Sequence, residues 1–132
     1  MIRKRIMVEN DFWSPETTHL YFYNSSNNSN IFSFSGSGIY YSLDLGNTWT
    51  SLTAGRTVTV GRYELISWKG QITPSTSSPY GIGRFSSTGS FYVGGNPMSL
   101  LFGDDFKGKK SLYGYDWAFY SLFEGCTYLN TK

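Results

Sequence analysis

A chain of 132 residues fits one compact domain with room for a fragment of a second, and can bury a sizeable core without staples. Aromatic residues make up 19% and charged residues only 15%, which excludes a disordered chain and argues against a helical bundle. The net charge of +2 gathers at Arg3-Lys4-Arg5 and at Lys107, Lys109 and Lys110, leaving a mildly acidic body. A nucleic-acid binder carries a dense basic face with interleaved aromatics, so these short clusters read as solvated ends and no nucleic-acid partner is expected.

The single Cys126 excludes an internal disulfide and a multi-cysteine metal site. No apolar run reaches the length of a membrane span. The start, Met1-Ile2-Arg3-Lys4-Arg5-Ile6-Met7-Val8, has charge but no apolar stretch or small-residue cleavage site, so no signal peptide is visible.

Residues 1–17 read as a polar lead-in containing Pro15. Short strand signals then recur about every ten residues, the spacing of a sandwich or barrel. The first is Leu20-Tyr21-Phe22-Tyr23, followed by a Ser/Asn tract over 24–30 that must turn. Phe32 and Phe34 alternate with Ser33 and Ser35. Ile39, Tyr41 and Leu43 share one face opposite Tyr40, Ser42 and Asp44. Residues 49–52, the Val58/Val60 alternation, 63–68, 82–85, 91–93 and 98–102 complete the series, with a Ser/Thr/Pro loop at 73–79. After Gly103 the chain turns polar and basic. Phe119, Leu122, Phe123 and Cys126 then fall at i, i+3, i+4 and i+7, a helical face.

Within this series, Ser42-Leu43-Asp44-Leu45-Gly46-Asn47-Thr48-Trp49 matches S-x-D-x-G-x-x-W and resembles the Asp-box. Its chemistry is structural. Asp44 accepts bonds from backbone N–H groups of the turn, Gly46 adopts a conformation other residues resist, and Trp49 packs back over the hairpin. Asp-boxes are best known from sialidase propellers, but a propeller blade needs about forty residues and one copy cannot build one. A hairpin clip without catalysis is expected, formed by Ser42, Asp44, Gly46, Thr48 and Trp49.

A wider resemblance rests on four ordered blocks. These are the run from Ile39 through Thr50; Ile66-Ser67-Trp68-Lys69-Gly70; the run from Gly81 through Gly89 with that from Phe91 through Gly103; and the run from Ala118 through Leu129, which ends in Phe123-Glu124-Gly125-Cys126-Thr127-Tyr128-Leu129. Together, over roughly residues 31–129, they resemble the N-terminal module of BspA-like leucine-rich-repeat surface proteins of gut Bacteroidetes and their phages. In that family an array of repeats with an F-x-x-C-T-x-L core normally follows, whereas here one such unit is present.

The recurring alternating segments predict an all-β fold with a β-sandwich-like module at 18–103, and the break in pattern after Gly103 predicts a linker and a short helical element over 104–132. The resemblance makes that last element a repeat-cap-like unit and implies a non-catalytic surface binding or adhesion module, extracellular, at the cell surface or on a virion. The partner is then a cell-surface glycan or protein, or further copies within a larger assembly. A structural, virion- or tail-associated protein of a Bacteroidetes phage is the alternative, and a glycosidase-related fragment the weaker one. If the β body folds alone, cutting near residue 110 should leave a more soluble monomer.

Catalytic chemistry finds little footing in the residues. Glycosidases oppose two carboxylates across the scissile bond, whereas Asp104 and Asp105 are sequence neighbours in what reads as a solvated loop lacking the other oxygen ligands of an EF-hand. His19, the sole histidine, has no nucleophile motif around it and reads as a surface or packed residue. Cys126 reads as a small buried hydrophobe. Gly81-Ile82-Gly83 precedes no helix signal, so no phosphate loop is expected. No catalytic, cofactor-binding or metal-ligating residue is therefore assigned, and no cofactor is expected. Of the aromatic candidates for stacking on a sugar, Trp49 and Trp68 read as packing residues, while Trp13 in the lead-in and Tyr80 in the long loop are the expected glycan contacts.

Overall fold

The computed structural model describes residues 17–72, 82–109, 122–123, 126 and 129–130. These form β1 (Leu20–Asn24), β2 (Asn30–Phe34), β3 (Ile39–Ser42), β4 (Thr50–Leu52), β5 (Thr57–Val60), β6 (Leu65–Gly70), β7 (Phe85–Ser87), β8 (Phe91–Gly94) and β9 (Leu129–Asn130), with a short helix α1 (Ser99–Phe102) running into a 3-10 helix at Gly103–Phe106. The fold is all-β and sandwich-like. One sheet has the order β4-β3-β6-β1-β8-β9 and the other β5-β2-β7. All pairings are antiparallel except that of β8 with β9, where Phe91 lies beside Leu129.

Period-two alternation builds the core. Leu20 and Phe22 of β1, Ile66 and Trp68 of β6, Phe32 and Phe34 of β2, and Phe85 of β7 are all at most 1% exposed. Across the gap between sheets, the Phe22 ring meets Phe32 at 5.3 Å and Phe85 edge-on at 4.8 Å, and Trp68 meets Phe85 at 4.9 Å. Offset and edge-to-face contacts of this kind add to what area burial alone contributes. The Trp68 indole N–H is buried in this cluster and has no hydrogen-bond partner among the described residues.

The Ser/Asn tract does turn, and two buried asparagines hold it. Asn24 Nδ2 donates to the carbonyls of Asn28, Val60 and Gly61, while its Oδ1 accepts from the Ser26 N–H and hydroxyl. Asn30 Oδ1 accepts the N–H groups of Thr88 and Gly89. The loop is thereby tied to both sheets.

Two expectations for the chain's second half change. Residues 98–102, expected as a strand, are helical instead. An uninterrupted apolar run carries no period, and here Pro97 and Asn96 set a turn: Asn96 Oδ1 accepts the Met98 N–H and its carbonyl the Ser99 N–H. Ser99 Oγ then accepts from Leu20 N–H and donates to Trp68 C=O, bridging β1 and β6 at their ends. Leu100 and Leu101 are buried beside them. The expected helical stripe lies partly outside the described residues, since Phe119 does. Leu122 and Phe123 sit in a turn closed by the Cys126 N–H on the Phe123 carbonyl at 3.0 Å.

That C-terminal segment shares the core of the sandwich. Leu122 and Cys126 are 4% and 8% exposed and belong to the same apolar cluster as Phe85. The Phe85 N–H donates to Leu122 C=O, and the Cys126 thiol donates to Phe85 C=O. Burial pushes that thiol up to about 11, the behaviour of an inert buried cysteine. Among the described residues, no helix is long and apolar enough to cross a membrane.

Candidate functional site

The hairpin between β3 and β4 is closed by one carboxylate and two hydroxyls. Asp44 Oδ1 accepts the Thr48 N–H at 2.9 Å and the Ser42 hydroxyl at 2.7 Å, while Oδ2 accepts the Thr48 hydroxyl at 2.7 Å. Ser42 Oγ in turn accepts the Gly46 N–H at 2.8 Å. Gly46 has φ +88°, a region that side chains resist, and the preceding Leu45 adopts φ +64° despite its side chain. The hydroxyl of Thr48, then that of Ser42, hold the Asp44 carboxyl down at about 2.

Beyond the clip, the chain delivers Trp49 to the outer face of the large sheet. A Cβ built on Gly46 would lie 3.6 Å from the indole, so Trp49 does pack over its hairpin. It is only half-buried, however. The Lys69 ammonium sits 4.5 Å from its ring centroid and the His19 ring lies 5.1 Å away. Lys69 comes from β6, where it is paired with Tyr40 of β3, so both side chains emerge on the outer face. His19 follows from the Leu20–Trp68 pairing one step further along.

Asp104, in the 3-10 helix, joins these groups. Its Oδ2 accepts from Lys69 Nζ at 2.9 Å and its Oδ1 from His19 Nε2 at 2.9 Å. An ionised carboxylate only accepts, so His19 carries a proton on Nε2. The bonds from Lys69 and then from His19 hold the Asp104 carboxyl below its ordinary value. The side chain nevertheless remains 65% exposed.

Together these side chains wall a half-open cleft of about 300 Å³, with Tyr40 and Trp49 as aromatic walls and Lys69, Gln71 and Asp104 as polar groups. This is the small end of the range for small-molecule sites, and a few convergent polar groups among aromatics are their usual lining. Gly70 forms part of the wall for a steric reason: a Cβ there would stand 2.7 Å from the Gly38 carbonyl oxygen and 2.9 Å from that of Leu100.

The structure distributes the residues singled out from sequence as follows. Ser42, Asp44, Gly46, Thr48 and Trp49 come together in the hairpin clip. Trp13 and Tyr80 lie outside the described residues. Trp68 is fully buried in the core, and Asp105 is exposed beside Asp104 without entering the cleft wall. Tyr40, Lys69, Gln71, and the pairing of His19 with Asp104 were not singled out. Alternation did put Tyr40 on the face opposite Ile39, and the same period carries Lys69 outward beside buried Trp68. Among the described residues, no group of three or more His, Cys, Asp or Glu side chains is placed to hold a metal ion. Compared with family models, curated proteins and solved structures, the chain finds no match.

Proposed function

We propose that this chain is a non-catalytic carbohydrate-binding module and that the cleft between Tyr40, Trp49 and Asp104 is its binding site. The observation that carries this reading is the combination of two partly exposed aromatic rings with Lys69, Gln71 and Asp104 around one cleft. A pyranose ring has an apolar C–H face that stacks on an aromatic ring and a rim of hydroxyls that needs paired donors and acceptors. An aromatic wall beside an ammonium, an amide and a carboxylate meets both demands.

The non-catalytic part of the reading is supported by the carboxylates of the cleft. A glycosidase sets two carboxyl groups across the scissile bond. Among the described residues lining the cleft Asp104 is the one carboxylate, and Lys69 and His19 hold it below its ordinary value, the opposite of what a general acid needs. The resemblance to BspA-like N-terminal modules adds a setting, adhesion or attachment at a cell surface or on a phage particle, in which such a site has a purpose. Screening the protein and its Tyr40→Ala/Trp49→Ala variant on an immobilised-glycan array tests the reading. Binding by the parent that the variant loses supports it, and a parent that binds no glycan refutes it.

A further inference from the structure

Resting on the glycan reading, we propose that Asp104 receives a vicinal diol and that the ligand class is therefore a neutral sugar with two adjacent free hydroxyls. The inference starts from how the carboxylate is already used. Each oxygen accepts one N–H, Oδ1 from His19 and Oδ2 from Lys69, both at 2.9 Å. A carboxylate offers about four acceptor sites, so each oxygen keeps one free. With the side chain 65% exposed at the cleft wall, these free sites are open to a ligand.

Two acceptors side by side match two adjacent O–H donors, as in a bidentate pair. The diol oxygens then need donors themselves. Lys69 spends one of its three N–H donors on Asp104, and Gln71 adds an amide to the same wall. His19 and Lys69 fix the carboxylate before any ligand arrives, so little freedom remains to be lost on binding.

An acidic sugar fits this wall poorly. Lys69, the one lysine among the described residues lining it, is already paired with Asp104. A ligand carboxylate would have to break that pair and face the exposed Asp104 charge. The cleft thus discriminates through an unfavourable contact as well as a favourable one.

The test uses the full chain in affinity electrophoresis and calorimetry against neutral polysaccharides (mannan, galactan and mixed-linkage glucan) and acidic ones (polygalacturonate and polysialate). A purely 1,3-linked glucan, whose internal residues have no vicinal diol, serves as control. The expected result is binding to a neutral glycan with free diols, weakened at least about tenfold for the 1,3-linked glucan, for the same glycan after periodate cleavage and borohydride reduction, and for Asp104→Asn. If periodate treatment or Asp104→Asn leaves affinity unchanged while Trp49→Ala abolishes it, the diol assignment is overturned and the glycan reading stands. Preference for the acidic glycans overturns it in the same way. If no polysaccharide of either kind binds, both fall.

Discussion

The Lys69 ammonium lies over the Trp49 indole at 4.5 Å while the same nitrogen donates to Asp104 at 2.9 Å. One side chain of β6 thus links the base of the 42–49 hairpin to the 3-10 helix beyond β8, three segments far apart in sequence. The cleft depends on this link for its shape.

Because the Asp104 end of the Lys69–Asp104 pair is 65% exposed, solvent screens the pair and its contribution to stability is small. Lys69→Met, which keeps the apolar stem, is expected to lower unfolding stability by no more than about 1 kcal/mol in chemical denaturation. The same variant is expected to weaken glycan binding clearly, which separates a cleft role from a structural one.

Acid should loosen the hairpin clip in a defined window. Asp44 falls from an ordinary value of 3.8 to about 2 on folding. A group whose pKa is lowered stabilises the fold above its unfolded pKa and stops doing so as it becomes protonated. Its contribution is full at neutral pH and is lost as pH falls from near 3.8 to about 2. Asp44→Asn is therefore expected to lower the thermal midpoint at pH 7 and to flatten its decline through that window, as followed by circular dichroism.

Asn24 is the most costly polar residue to remove from the body. It is fully buried, and its amide serves three carbonyls while its oxygen receives Ser26. Asn24→Ala is expected to cost about 2–4 kcal/mol in urea unfolding, because several turn groups lose their partner at once. Asn24→Asp keeps the acceptor but loses the donors, and should recover only part of the loss.

Removing the residues after 110 is expected to destabilise the sandwich. The sequence alone suggests that such a cut leaves a more soluble monomer. In the structure, Leu122 and Cys126 complete the core, and β9 covers the edge of β8. Their loss opens a cavity beside Phe85 and exposes a strand edge. Size-exclusion chromatography and dye binding should show a looser, association-prone protein. A stable monomer with an unchanged midpoint would show the contrary.

Strands were largely legible in the sequence because a sandwich repeats one local rule. Phe32/Phe34 and Ile66/Trp68 advertise their inner face by alternation. Some local departures were not legible. The strand expected at 82–85 runs instead over Phe85–Ser87, and the alternation expected through Leu43 ends at Ser42, which is buried while Leu43 is exposed. The run Met98-Ser99-Leu100-Leu101-Phe102 is apolar almost throughout, so its helix comes from Asn96 and Pro97 ahead of it. Tyr63, expected to begin a strand, takes φ +60° in a turn, and β6 starts at Leu65. Of the site, the 42–49 clip was visible because its partners lie within a few residues of one another. Asp104 and His19 meet across 85 positions, which no local pattern announces.

The most direct test of the account is calorimetric titration of the tightest array glycan into the parent protein and into Trp49→Ala, with circular dichroism confirming that both are folded. A binding site walled by the indole predicts an affinity loss of about tenfold or more in the variant, the scale of one lost aromatic contact with its surroundings. Equal affinity in two equally folded proteins would contradict the assignment of this cleft.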